Sequence, residues 1–322
     1  MTSTTSKTET YNQQNERLMR TATYCAVSVA IILILIKAWA YLATDSVSIL
    51  STLVDSLLDL GASVVNLFAV RHALTPADDD HRFGHGKAEA LAGLLQSAFI
   101  VGSAIFLILQ ATEKLANPDP IQASTIGIGV MGVSIALTVI LVAFQRYVIR
   151  RTQSVAISAD SLHYAGDILV NISVIVALIL AEQLGWIIAD ALFAMGIAVY
   201  ITYNAWSIIR LSFADLMDAE LPEEERQKII ELVTEHPDVL GVHDLRTRRS
   251  GQALFIQMHL DLQPDLPLVI AHAISEDVEK TILDHYPNAE ALIHQDPADP
   301  KLLKTAVSAA AASTATPNAP HD

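Results

Sequence analysis

The chain has 322 residues, room for about two domains, and is 52% hydrophobic but only 17% charged, with a mean hydropathy of +0.40. That composition argues against disorder over most of the chain and falls short of the roughly one quarter charged residues of a soluble globule, so part of the apolar surface faces lipid. With 35 Asp+Glu against 20 Lys+Arg the chain lacks the basic face nucleic acid requires, and its one cysteine, Cys25, excludes an intramolecular disulfide framework and a cysteine-based zinc finger.

Residues 1–20 are polar, lack the apolar core of a signal peptide, and read as a cytoplasmic tail. Apolar runs follow at 21–42, about 46–74, 88–116, 124–149, 154–184 and 186–213. Each is long enough to cross a bilayer as a helix, and none alternates as a barrel strand would. The expectation is an all-α membrane domain of six spans over 21–213. Lys7, Arg17, Arg20, Arg71, Arg82, Lys87, Arg146, Arg150, Arg151 and Arg210 fall on one side. The other side has Lys114, plus Lys37 near the end of span one, which is expected to snorkel outward. The excess of positive charge makes both termini cytoplasmic.

Beyond 213 the composition changes. Residues 214–297 hold 18 Asp+Glu and 6 Lys+Arg, so most of the chain's net charge of −15 lies here. Pro222 with three following glutamates starts a helix. Residues 252–262 alternate, with Leu254, Ile256, Met258, Leu260 and Leu262 on one face and Phe255, Gln257, His259 and Asp261 on the other. Ser250-Gly251 turns this strand back on one at 242–249. A second helix over about 267–285 and a strand over 289–294 complete an αββαβ order, a cytoplasmic α+β domain over 214–297. Residues 298–322, rich in Ala, Ser, Thr and Pro, read as a disordered tail.

Within the spans, Asp55 and Asp59 are spaced i, i+4 in span two, as are His163 and Asp167 in span five, so each pair shares a helical face. An ionised Asp mid-span costs on the order of 3 kcal/mol, so such residues face the bundle interior and have partners. No basic residue is placed mid-span, which leaves the four groups to satisfy one another through protons or a cation. Three carboxylates and an imidazole suit tetrahedral Zn²⁺, and admit Fe²⁺, Mn²⁺, Co²⁺ or Cd²⁺. The plainer alternative is polar glue between helices with protonated acids. Asp160 reads as a neighbour of the site or as an ordinary helix-start carboxylate. Asn66 and Asn171 read as interhelical hydrogen-bonding residues, and Cys25 as a small packing residue.

Two further clusters stand outside the spans. Asp78, His81 and His85 have separations of three and four, so a turn gathers them as N/O ligands, or they are a solvated acidic loop. In the last domain His243 and His259 fall on adjacent strands and His294 on the edge of the same sheet, with His272 and Asp296 also of ligand type.

These residues carry a resemblance. The chain resembles the cation diffusion facilitators, most of all the bacterial zinc/ferrous-iron efflux pumps of that family, from about residue 17 to residue 297. The motifs are Ser46-Val47-Ser48-Ile49-Leu50 with Leu53-Val54-Asp55-Ser56-Leu57-Leu58-Asp59, and His81-Arg82-Phe83-Gly84-His85-Gly86-Lys87-Ala88-Glu89. They continue with Ala159-Asp160-Ser161-Leu162-His163-Tyr164-Ala165-Gly166-Asp167, His243-Asp244-Leu245-Arg246-Thr247-Arg248 and Ile293-His294-Gln295-Asp296-Pro297. The resemblance implies a homodimer in the cell inner membrane with metallochaperone-like cytoplasmic domains. It implies a transport site of Asp55, Asp59, His163 and Asp167, and a loop metal site of Asp78, His81 and His85. It also implies a cytoplasmic site of His243, His259, His272, His294 and Asp296, and a charge interlock of Lys87 with Asp218 across the dimer. Zinc is the substrate it favours, with iron(II), cadmium or manganese as alternatives.

No covalent chemistry is expected. A membrane metalloenzyme would need an open coordination position and a general base, and no His-Glu-x-x-His is present. A non-transporting metal sensor would have no use for the four mid-span groups. Metal efflux in exchange for protons, by alternating access about a fixed site, is the expectation: like charges gather protons when the cation leaves, and metal binding expels them.

Overall fold

A computed structural model describes residues 2–116, 125–186 and 188–299, with side chains from residue 13 onward except those of residues 47, 48 and 125. The chain divides into two units, Gln13–Met217 and a second that begins at Asp218.

The first unit holds six helices: α1 (Thr2–Thr44), α2 (Val47–Ala73), α3 (Lys87–Ala116), α4 (Thr125–Thr152), α5 (Val155–Leu184) and α6 (Ala189–Leu216). All six are long and apolar enough to cross a membrane, α1 over Gln13–Thr44. The polar stretch before residue 21 is helical and continuous with α1. Span six begins at Ala189, not 186, because Gly185 (φ +66°) ends α5 and the Trp186 N–H bonds back to the Leu180 carbonyl.

Two devices place α5, which carries His163 and Asp167. Ser154 caps it, accepting from the Ile157 N–H at 3.2 Å. Glu89 of α3, 3% exposed, stands beside Ser154, Val155 and Ala156, which sets a carboxylate near the positive end of α5. At Gly93 a Cβ would meet Ser212 Oγ at 2.7 Å and Val155 Cγ1 at 2.8 Å, so α3 approaches α5 and α6 at a distance only glycine permits. Cys25 packs in a cluster with Ala26, Leu141 and Tyr164.

The second unit runs α7 (Glu223–Thr234), β1 (Gly241–Ser250), β2 (Ala253–Leu262), α8 (Leu268–His285) and β3 (Ala289–Pro297), the expected αββαβ order. The sheet order is β1-β2-β3, with β1 antiparallel and β3 parallel to β2. The hairpin turn is Gly251-Gln252, with Gly251 at φ +57°. Leu254, Ile256, Met258, Leu260 and Leu262 of β2 pack on Ile229 and Val233 of α7 and on Ile274, Val278 and Ile282 of α8. One face of the sheet is therefore core, and the other is left for polar residues. Order extends past Pro297: the Ala298 N–H bonds to the Leu262 carbonyl at 2.8 Å. The rest of the tail, from residue 300, lies outside the described residues.

Candidate metal centre

In the membrane unit, α2 and α5 bring Asp59, His163 and Asp167 together, with ligand atoms all within 4.8 Å of one another. His163 Nε2 lies 2.9 Å from Asp59 Oδ1 and 3.8 Å from Asp167 Oδ2. Asp55, one turn before Asp59, has an exposed side chain and is not among those atoms.

Lys37 departs from expectation. It does not snorkel outward. Its ammonium donates to the Thr52 carbonyl at 3.1 Å and to Ser56 Oγ at 2.7 Å, both on α2, and it is electrostatically coupled to Asp59, Asp167 and Asp55. Lys37 lies two helical turns before the end of α1 at Thr44, on the side facing α2, where a buried hydroxyl and a carbonyl replace water. The four-residue set is thus not without a basic neighbour.

Asp160 is not a helix-start carboxylate. It is 1% exposed, accepts from Gln145 Nε2 at 2.7 Å and from Ser63 Oγ at 3.5 Å, and Ser63 also pairs with the Tyr164 hydroxyl at 2.8 Å. This network ties α2, α4 and α5 beside the site. The asparagines also differ from expectation. Asn171 donates within its own helix to the Asp167 carbonyl at 2.8 Å, while Asn66 is buried with neither amide atom on a protein partner among the described residues.

The loop between α2 and α3 gathers Asp78, His81 and His85 within the same 4.8 Å limit. Asp78 Oδ1 accepts from the backbone N–H of Asp80 at 3.1 Å and of His81 at 2.6 Å. The His81 bond is the main reason its carboxyl sits below the usual carboxylate range. His85 Nε2 is 3.4 Å from Asp78 Oδ2, while its Nδ1 lies 3.3 Å from the Thr75 carbonyl. His72, on the last turn of α2, sets its ring edge-on at 4.5 Å from that of His85.

On the polar face of the sheet, register puts His243, His259 and His294 in one row across the three strands, and Gly241, Asp261 and Asp296 in the next. His243, His259 and Asp296 lie within 4.8 Å of one another. His259 Nδ1 is 2.7 Å from Asp296 Oδ2, and His294 Nε2 is 3.3 Å from Asp296 Oδ1. The hydrogen bond from His259, aided by the charge of His294, holds Asp296 below the usual carboxylate range. His272 is elsewhere, on α8, exposed and 3.4 Å from Glu276. Two neighbours escaped the sequence reading: Asp261, 3.3 Å from His243 Nδ1, and Asp244, 3.8 Å from His259 Nε2. Gly241 opposite Asp261 was the available signal, since a Cβ there would meet Asp261 Oδ2 at 2.6 Å. Asp244 is turned to this face by the irregularity between His243 and Arg246 and by its own φ of +49°.

Residues 23–217 match the cation efflux transmembrane domain, and residues 221–298 match the cation efflux protein cytoplasmic domain. The chain belongs to the cation efflux family. The cation-efflux pumps FieF of Yersinia pestis (strain Pestoides F) and of Yersinia pseudotuberculosis serotype O:3 (strain YPIII) are each 52% identical to it over 284 residues, 88% of this chain and 94% of theirs. A solved structure of CzrB in its zinc form is 35% identical over 24% of this chain and 90% of that one, with a TM-score of 0.24.

As a cation efflux protein the chain is a multi-pass membrane transporter and not an enzyme. Lys87 and Asp218 have partners of their own: Lys87 Nζ donates to the Leu216 carbonyl at 3.4 Å, and Asp218, at φ +53°, accepts from Arg248 at 3.1 Å.

Proposed function

We propose that this cation efflux protein exports divalent metal, zinc foremost, from the cytoplasm in exchange for external protons. The observation that carries the proposal is the Asp59–His163–Asp167 cluster on α2 and α5; Asp55, one turn before Asp59 and outside that set, is the fourth ligand of the proposal. Two or three carboxylate oxygens with one imidazole suit zinc, and accept cadmium, iron(II) or manganese more weakly. With His163 neutral, the emptied site carries three carboxylates against the single charge of Lys37, so it takes up protons, and an arriving cation displaces them. Rocking of α2 and α5 about this site gives alternating access.

The basic residues support cytoplasmic termini and hence an inner-membrane protein: Arg71 ends α2 and Arg150 and Arg151 end α4, while the outer end of α3 has Lys114 alone. The match to the cytoplasmic domain of cation efflux proteins, a dimerisation domain, supports a homodimer. So do Leu268 and Val269 of α8, 80% and 70% exposed. Domain roles follow: 21–213 transports, 214–297 binds metal and pairs, and 298–322 is a tail. The charge interlock of Lys87 with Asp218 that the resemblance implies belongs to the same proposal. His243, His259, His294 and Asp296, with His272, hold metal in the cytoplasmic domain, where it offsets the repulsion of two acidic copies. Asp78, His81 and His85 hold it in the loop.

Flux of Zn²⁺, Fe²⁺, Mn²⁺ and Cd²⁺ into one proteoliposome preparation, with and without an imposed proton gradient, tests the reading. Zinc is expected to move fastest and to slow when the gradient is collapsed. A zinc rate indifferent to the gradient makes the protein a facilitator, and absent zinc flux removes zinc as substrate.

A further inference from the structure

The loop cluster offers three donors, Asp78, His81 and His85, and a closed four-coordinate zinc site takes four. We propose that His72 is the fourth ligand, making the loop site a three-histidine, one-aspartate centre for a divalent transition metal. This rests on the reading of the loop as a metal site.

The backbone brings the four together. Helix α2 ends at Ala73, and the chain folds back at once, with the Leu74 N–H on the Val70 carbonyl and the Thr75 N–H on the His72 carbonyl at 2.9 Å. The Thr75 carbonyl, freed by that turn, lies 3.3 Å from His85 Nδ1. A proton held on Nδ1 by this carbonyl leaves the Nε2 lone pair of His85 for a metal, on the side where Asp78 Oδ2 stands 3.4 Å away. Asp78 Oδ1 is taken by backbone N–H groups, so the carboxylate is fixed and its second oxygen is available.

His85 then has two imidazole neighbours, His81 at 4.6 Å and His72 at 4.5 Å between ring centroids. The His72 ring is outside the 4.8 Å donor set; the residue is exposed, and under the proposal a change of rotamer brings a ring nitrogen to the ion. The other three ligands all belong to the loop. His72 alone belongs to the helix that carries Asp55 and Asp59, so a metal bound through it ties the loop to the end of that helix. The simpler role for His72, a favourable imidazole at a helix C-terminus, needs no metal and predicts unchanged metal coordination when the ring is replaced.

The test uses full-length protein with the other two sites disabled by Asp59→Ala and His259→Ala, titrated with Co²⁺ and read by visible absorption. One Co²⁺ per chain with the intense bands of a tetrahedral site is expected. Adding His72→Phe, which keeps the ring's bulk, should weaken binding at least about tenfold and shift the spectrum to the weak bands of a higher-coordinate, water-bearing ion. His72→Cys should restore four-coordination and add a thiolate charge-transfer band. Co²⁺ binding that His81→Ala abolishes but His72→Phe leaves unchanged in affinity and spectrum would overturn the assignment while sparing the loop site. No Co²⁺ binding in the parent would overturn both.

Discussion

Lys37 is the basic neighbour of the membrane site. Its ammonium is anchored on Ser56, the residue after Asp55, and brings a positive charge toward the site that, under the proposed function, binds and releases a divalent cation. At separations of roughly 6–8 Å and an effective dielectric near 20, two unit charges interact by about 2–3 kcal/mol, and a divalent ion feels twice that. Lys37→Met is therefore predicted to tighten Zn²⁺ binding by at least about tenfold in calorimetry on purified protein, and to slow turnover at saturating metal. Unchanged or weaker binding would show that the lysine only packs α1 on α2. Asp59, His163 and Asp167 were legible in the sequence because a mid-span charge is too costly to be idle. Lys37 was not, because a long basic side chain near a span end can reach water or turn inward, and only the packing of α1 against α2 decides. Asp244 and Asp261 were hidden for a related reason: their approach to the histidines depends on strand register and a backbone irregularity that no spacing rule reports.

At the scale of the element, one face serves packing while the other is left to polar residues. Strand β2 shows this most clearly: Ile256 and Met258 are fully buried under α7 and α8, while His259 looks out on the opposite side toward Asp296. Ile256→Ala is predicted to destabilise the cytoplasmic unit by about 2–5 kcal/mol, measured as faster hydrogen exchange of the β2 amides in the full-length protein. Exchange at the parent's rate would mean that the core does not bear on Ile256. The alternation of 252–262 made this strand and its faces readable from sequence. The helical stretch of α1 before residue 21 was not, since apolar periodicity is the signal used and this stretch is polar. The Glu89 contact to the start of α5 was equally hidden, joining residues more than 60 positions apart.

For the whole molecule, two units share the work of a cation efflux protein: apolar helices with a few polar groups between them, and an acidic domain with a row of histidines on its sheet. Composition alone separated them, because lipid demands apolar surface and the cytoplasm does not. The proposed pairing of two copies rests on the family resemblance and on surfaces such as the exposed start of α8, not on a residue pattern within one chain. The central claim, that a cation crosses by way of the α2–α5 site in exchange for protons, can be measured in a single preparation. Proteoliposomes with zinc-sensing and pH-sensing dyes inside would be given external zinc, for the parent and for Asp59→Ala. The account predicts zinc entry with simultaneous rise of internal pH in the parent, and loss of both in the variant while it still folds. Zinc entry at the parent's rate in Asp59→Ala would contradict it.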